Sequence, residues 1–133
     1  MNGQAVVRRW SPRPMSVRRA RGELSSALAN WGLAAVEDAA LLVLSELMTN
    51  AVVHARVSPG REIETQFLPQ PNGVRIQVDD ADDTRPQLRD QAIESGRGLV
   101  LVAKLSDRWG VSGRNGVGKS VWAVVTAPRE GRA

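Results

Sequence analysis

A carboxylate and an amide four residues apart on an apolar helix form a small chemical unit, and Glu46 and Asn50 are such a pair. The i, i+4 spacing stacks them about one turn apart on one helix face. The amide oxygen of Asn50 suits Mg²⁺, a hard cation that takes oxygen ligands and is usually shared with waters and substrate phosphates. The carboxylate of Glu46 can accept a proton from an attacking hydroxyl or water. Around them Ala39 to Leu44, Leu47, Met48 and Ala51 to Val53 are apolar, and Ser45, Glu46, Thr49, Asn50 and His54 read as one narrow polar stripe. An ionised carboxylate in an apolar interior is very costly unless something pairs with it. The stripe therefore faces a ligand or a cavity, or it is the solvated edge of a surface helix; helix spacing alone fits both.

Two further features favour the ligand. Val74, Ile76 and Val78 alternate as the buried face of a strand, and the same parity carries inward to Asp80 while Asp79 points outward. A carboxylate at the end of a core strand needs a donor, and the exocyclic amino group of adenine is one. Farther on, Gly96-Arg97-Gly98 opens a short helical stretch. Glycine permits close backbone approach, and free N–H groups at a helix start attract phosphate.

The elements that must position these groups can be read from periodicity. Val6 to Trp10 reads as a short edge strand, broken by Ser11-Pro12-Arg13-Pro14. A helix follows with Ser16 as its N-cap, apolar positions Val17, Ala20, Leu24, Ala27, Leu28 and Trp31, and Gly32 as its stop. A second helix from about Ala35 to Ala55 carries Glu46 and Asn50 and is ~30 Å long at helical rise. Arg61 to Leu68 and Val74 to Val78 form a hairpin around a turn at Pro69 to Gly73. Leu99 to Leu105 reads as a short helix, and Arg108 to Ser112 and Ser120 to Thr126 as two more strands. Thr84 to Gly98 reads as a mobile loop. Helices grouped against such a sheet indicate an α+β, two-layer sandwich with the helices on one face of a mixed, mostly antiparallel sheet.

The order of these motifs resembles that of the GHKL ATPases with the Bergerat fold, and among them the small anti-sigma factor serine/threonine kinases of actinobacteria. The stretch Leu44-Ser45-Glu46-Leu47-Met48-Thr49-Asn50-Ala51-Val52-Val53-His54-Ala55 resembles the N-box. Val78-Asp79-Asp80-Ala81 resembles the adenine-binding strand end. Gly96-Arg97-Gly98-Leu99, continuing to Leu105-Ser106-Asp107-Arg108-Trp109-Gly110, resembles the lid glycines and the segment after them. The resemblance covers roughly Val36 to Thr126. It implies ATP and Mg²⁺ as cofactors, with Asn50 on the metal, Glu46 as the catalytic base and Asp80 on adenine. Gly96, Arg97, Gly98 and Leu99 are then nucleotide-binding, the two glycines bordering the triphosphate, and Lys119 and Ser120 approach the phosphates. The superfamily's Asp-x-Gly-x-Gly is here Asp80-Ala81-Asp82-Asp83-Thr84, without either glycine.

The resemblance further implies an anti-sigma factor kinase that phosphorylates an anti-anti-sigma (STAS-domain) partner and sequesters a sigma factor. The rival is a non-catalytic ATP-binding regulatory protein that senses nucleotide and binds a partner. Such proteins often form homodimers. The expected organisation is one domain over 1–133, with an N-terminal strand and helix over 5–32 and an ATP-binding core over 35–127.

Composition narrows the classes. With no cysteine there is no disulfide framework, thiol nucleophile or Cys-based zinc site, and with one histidine a His-based metal cluster is excluded. No apolar run reaches the ~18 residues of a membrane span, so we expect a cytoplasmic protein without a membrane partner. The net charge is +4, and six arginines from Arg8 to Arg21 precede the first acidic residue, Glu23. That charge sits in one segment, and the chain has no tyrosine and a single phenylalanine to stack on bases. We therefore expect a basic helix face rather than direct nucleic-acid binding. Gly113 to Ser120 matches the P-loop pattern letter by letter, but the alternation of Val121, Ala123 and Val125 places a strand, not a helix, after it.

Overall fold

The computed structural model describes residues 4–55, 62–80, 97–113 and 118–127. Five strands form one sheet: β1 (Val6–Trp10), β2 (Ile63–Gln70), β3 (Gly73–Asp80), β4 (Arg108–Gly113) and β5 (Lys119–Thr126). The strand order is β1-β2-β3-β5-β4, and every described ladder is antiparallel rather than mixed. The helices are α1 (Pro14–Asn30), α2 (Glu37–Ala55), which a 3₁₀ turn over Ala34–Val36 precedes, and α3 (Arg97–Leu105). They lie against one face of the sheet, giving the expected α+β two-layer sandwich.

The period-two pattern of the strands builds the layer boundary. Ile63, Phe67, Val74, Ile76, Val78, Ala123 and Val125 point to the helices and are buried, meeting Leu24 and Leu28 of α1, Leu44 and Met48 of α2 and Val102 of α3 in one core. Such burial is the main stabilising term of the domain, at about 25 cal/mol per Å² of apolar surface removed from water. Edge strand β1 is anchored by Trp10, whose indole Nε1 donates to the fully buried Thr65 hydroxyl at 2.9 Å.

Several local expectations shift. Helix α1 begins at Pro14 with Arg13 as N-cap, not at Ser16. Pro14 needs no N–H partner in the first turn, and the Ser16 hydroxyl instead donates back to the Ser11 carbonyl at 2.6 Å. Gly32 does end the segment, at φ +73°. The β2–β3 turn narrows to Pro71-Asn72, with Asn72 at φ 63°, the left-handed value that a type II turn requires after proline. Trp122 faces away from the core, with the Arg75 guanidinium 5.0 Å from its ring centre. Asp79 also lies on that outer face, yet it is only 6% exposed and accepts hydrogen bonds from the Gln77 amide.

Helix α2 is not buried on most sides. Leu42 and Val53 are 44% and 49% exposed, on a face that neither α1 nor the sheet covers. Its other flank is tied to α1 by polar contacts: Ser25 donates to Glu37 at 2.8 Å, and Arg21 donates to the Leu41 carbonyl and the Ser45 hydroxyl.

Candidate functional site

The β3–β5 ladder places Val78 opposite Val121 and, one step on, Asp80 opposite Lys119. Both charged side chains point to the helix layer and are nearly inaccessible, at 3% and 2% exposure. Directly opposed antiparallel residues hold their Cβ atoms about 5 Å apart, and here the Lys119 Nζ lies 3.2 Å from Asp80 Oδ1 and 3.1 Å from Oδ2. The pair is thus built by strand register rather than by flexible reach.

Around it is a pocket with three kinds of wall. Helix α2 contributes Leu47, Asn50 and Ala51; the strands contribute Val78, Asp80, Lys119 and Val121; and Leu99 contributes from the first turn of α3. The apolar members give the nonpolar wall that is usual in small-molecule pockets, with a few polar groups set into it. At one end stand an ammonium and a carboxylate, at another an amide. The first turn of α3 supplies backbone N–H groups that have no partner within the helix, the usual attraction for an anion.

Of the residues singled out by sequence, the fold brings Asn50, Asp80, Leu99 and Lys119 together. Arg97 and Gly98 form the opening of α3 beside Leu99, whereas Gly96 lies outside the described residues. Glu46 is half-buried one turn before Asn50 but is not on the pocket wall. Ser120 pairs in register with Asp79 and Ser112, so it belongs to the opposite face of the sheet. The polar stripe of α2 is broad rather than narrow: Ser45 is held by Arg21 and donates to the Leu41 carbonyl, Thr49 is exposed, and Asn50 alone of the three reaches the pocket.

Two aspects of the site escape the sequence reading. Leu47, Ala51 and Val121 read as ordinary core residues, because an apolar pocket wall and a core have the same composition. Lys119, expected near phosphates, is the ion-pair partner of Asp80. The signal was available: the inward parity of Val121, Ala123 and Val125 extends back to Lys119 just as that of Val74, Ile76 and Val78 extends forward to Asp80. Of the P-loop lookalike, Gly113 ends β4 and Lys119 and Ser120 open strand β5, not a helix, whereas residues 114–117 lie outside the described residues. Within the lid-adjacent motif, Asp107 has a structural role: its N–H donates to the Val124 carbonyl and its carboxylate accepts from Thr126, fastening the α3–β4 turn to β5.

The donor set fits a purine nucleotide, with apolar walls for the ring, a buried carboxylate to accept from an amino group, and helix N–H groups for phosphate. Asn50 offers one amide oxygen, and a Mg²⁺ held there would complete its shell with waters and phosphate oxygens. No curated protein sequence matches the chain. The family model described as the histidine kinase-like ATPase domain matches residues 10–125, which include every described strand and helix apart from most of β1 and the last residue of β5. Together with the α+β sandwich and the pocket, this match shows that the chain belongs to the histidine kinase-like ATPase family, the ATP-binding domain of GHKL type.

Proposed function

We propose that the protein is an ATP- and Mg²⁺-dependent serine/threonine kinase of the anti-sigma factor type, acting in the cytoplasm on an anti-anti-sigma (STAS-domain) partner and sequestering a sigma factor in its alternative state. The observation that carries the nucleotide part is the convergence of Asn50, Asp80 and the first turn of α3 on one pocket. The kinase part is supported by Glu46, a carboxylate one turn from Asn50 on the same helix. In the transfer, the acceptor hydroxyl oxygen bonds to the γ-phosphorus as the bond to the β-phosphate oxygen breaks and ADP departs. Glu46 takes the hydroxyl proton. Such transfer depends chiefly on positioning and charge stabilisation, with Glu46 as the proposed base. Sigma-factor and partner recognition rest on the resemblance of the N-box and lid segments.

The placement of Glu46 outside the pocket wall favours a second reading, a nucleotide sensor that binds a partner without transfer. Two substitutions separate them. Asn50→Ala abolishes Mg-ATP binding in calorimetry under either reading. Glu46→Ala preserves binding and, if the protein is a kinase, removes label transfer from radiolabelled ATP to the STAS-domain proteins of the same genome. Wild-type protein that binds ATP yet labels none of them leaves the sensor as the function.

A further inference from the structure

Helix α2 leaves two large apolar side chains, Leu42 and Val53, 44% and 49% exposed, and Glu46 lies between them and the nucleotide pocket. At about 100° of rotation per residue, Thr49, Leu42, Val53 and Glu46 fall within a sector of about 60°, and Asn50 follows about 40° beyond Glu46. The order around the helix is thus exposed strip, half-buried Glu46, then Asn50 on the pocket wall. We propose that this strip is the docking surface for the phosphoacceptor protein, which lays an apolar segment along Leu42 and Val53 so that its serine or threonine hydroxyl reaches Glu46. The inference rests on the kinase reading of Glu46 and names where the protein substrate binds.

The occupant follows from the reaction. An acceptor hydroxyl must stand within hydrogen-bond reach of the base and in line with the γ-phosphate. Glu46 is off the pocket wall, so the acceptor comes to it from outside the pocket, on the side where the strip lies. A protein that presents this hydroxyl therefore covers the neighbours of Glu46. Leu42 is about 6 Å before Glu46 along the helix axis and Val53 about 10 Å after it. An extended segment advances about 3.3 Å per residue, so roughly five residues span the strip. Apolar residues about two positions to one side of the acceptor and about three to the other then meet Leu42 and Val53. Burial of those two side chains supplies the affinity that the solvent-exposed strip holds in reserve. The charged residues on this side of the helix, exposed Asp38 and Glu46, are both acidic, which disfavours nucleic acid or an anionic membrane as the occupant.

Steady-state transfer of label from radiolabelled Mg-ATP to the STAS-domain protein that accepts it tests the proposal. In Leu42→Lys and in Val53→Lys the KM for the acceptor is expected to rise at least about tenfold, while kcat at saturating acceptor and calorimetric Mg-ATP affinity stay within about twofold of wild type. That split is the mark of lost substrate docking rather than lost chemistry. Leu68→Lys, which charges an exposed apolar site on β2, is expected to leave KM unchanged. Should Leu42→Lys fail to fold by circular dichroism, Leu42→Ala takes its place with the same direction of effect. An unchanged KM in both strip variants, a loss confined to kcat, or an equal rise in Leu68→Lys overturns the docking surface and leaves the kinase reading standing. Wild-type protein that labels none of the STAS-domain proteins of the same genome overturns the kinase reading, and the docking surface with it.

Discussion

Asp80 and Lys119 illustrate how much a single residue's environment decides. Two charges withdrawn from water each incur a large desolvation penalty, which their attraction offsets only in good geometry. Contacts of 3.1 and 3.2 Å to both carboxylate oxygens meet that condition. Removing one member takes from the other, still buried, the opposite charge that strand register holds against it. Lys119→Met is therefore expected to lower unfolding free energy by about 3 kcal/mol or more, read from urea denaturation. The double substitution Asp80→Leu with Lys119→Met should recover most of that loss, and it should still fail to bind nucleotide. Recovery of stability together with retained binding would show that neither charge touches the base.

At the scale of elements, three glycines of different setting are expected to respond differently to alanine. Gly73 opens β3 directly after the turn, and a Cβ there would stand 2.2 Å from the Val125 carbonyl oxygen. Because that obstacle is backbone, Gly73→Ala should cost about 1–3 kcal/mol. Gly32 has open space around it but sits at φ +73°, so Gly32→Ala should cost about 1–2 kcal/mol through backbone strain alone. Gly22 lies within α1 with nothing near it, and Gly22→Ala should stabilise the helix by roughly 0.5–1 kcal/mol. Denaturant midpoints of the three variants check the order. Element existence was legible in the sequence because it rests on local periodicity, 3.6 in α1 and α2 and two in β2, β3 and β5. Element ends were less so: Pro14 rather than Ser16 starts α1, since proline at the first helical position competes with a serine cap and the Ser16 hydroxyl finds a backbone acceptor at Ser11 instead.

For the whole molecule, one layer of helices covers one sheet face, and the pocket lies where α2, α3 and the β3–β5 ladder meet. Ligand bound there contacts four elements that are separated in the chain, so binding opposes global unfolding. Mg-ATP at one hundred times its dissociation constant should add about 2.7 kcal/mol, or roughly 10 °C in Tm for a domain of this size. Thermal shift measurements should show the gain in wild-type protein and lose it in Asn50→Ala. The N-terminal arginines are partly committed to the fold: Arg8 pairs with Glu23, Arg9 with Glu64, and Arg21 bridges α1 to α2. Among the described residues no helix is long and apolar enough to cross a membrane.

By itself the sequence determined the α+β layering, the helix that carries Glu46 and Asn50, and the inward aim of Asp80. These come from periodicity within one segment, which every residue in that segment helps to specify. Only the tertiary structure decided which stripe residues reach the pocket, that Ser120 turns to the opposite sheet face, and that Lys119 stands against Asp80 across 39 residues of chain. Those outcomes depend on strand register and helix rotation, and both are set by the packing of the whole core, where a shift of one residue would exchange the pocket face of a strand for the solvent face.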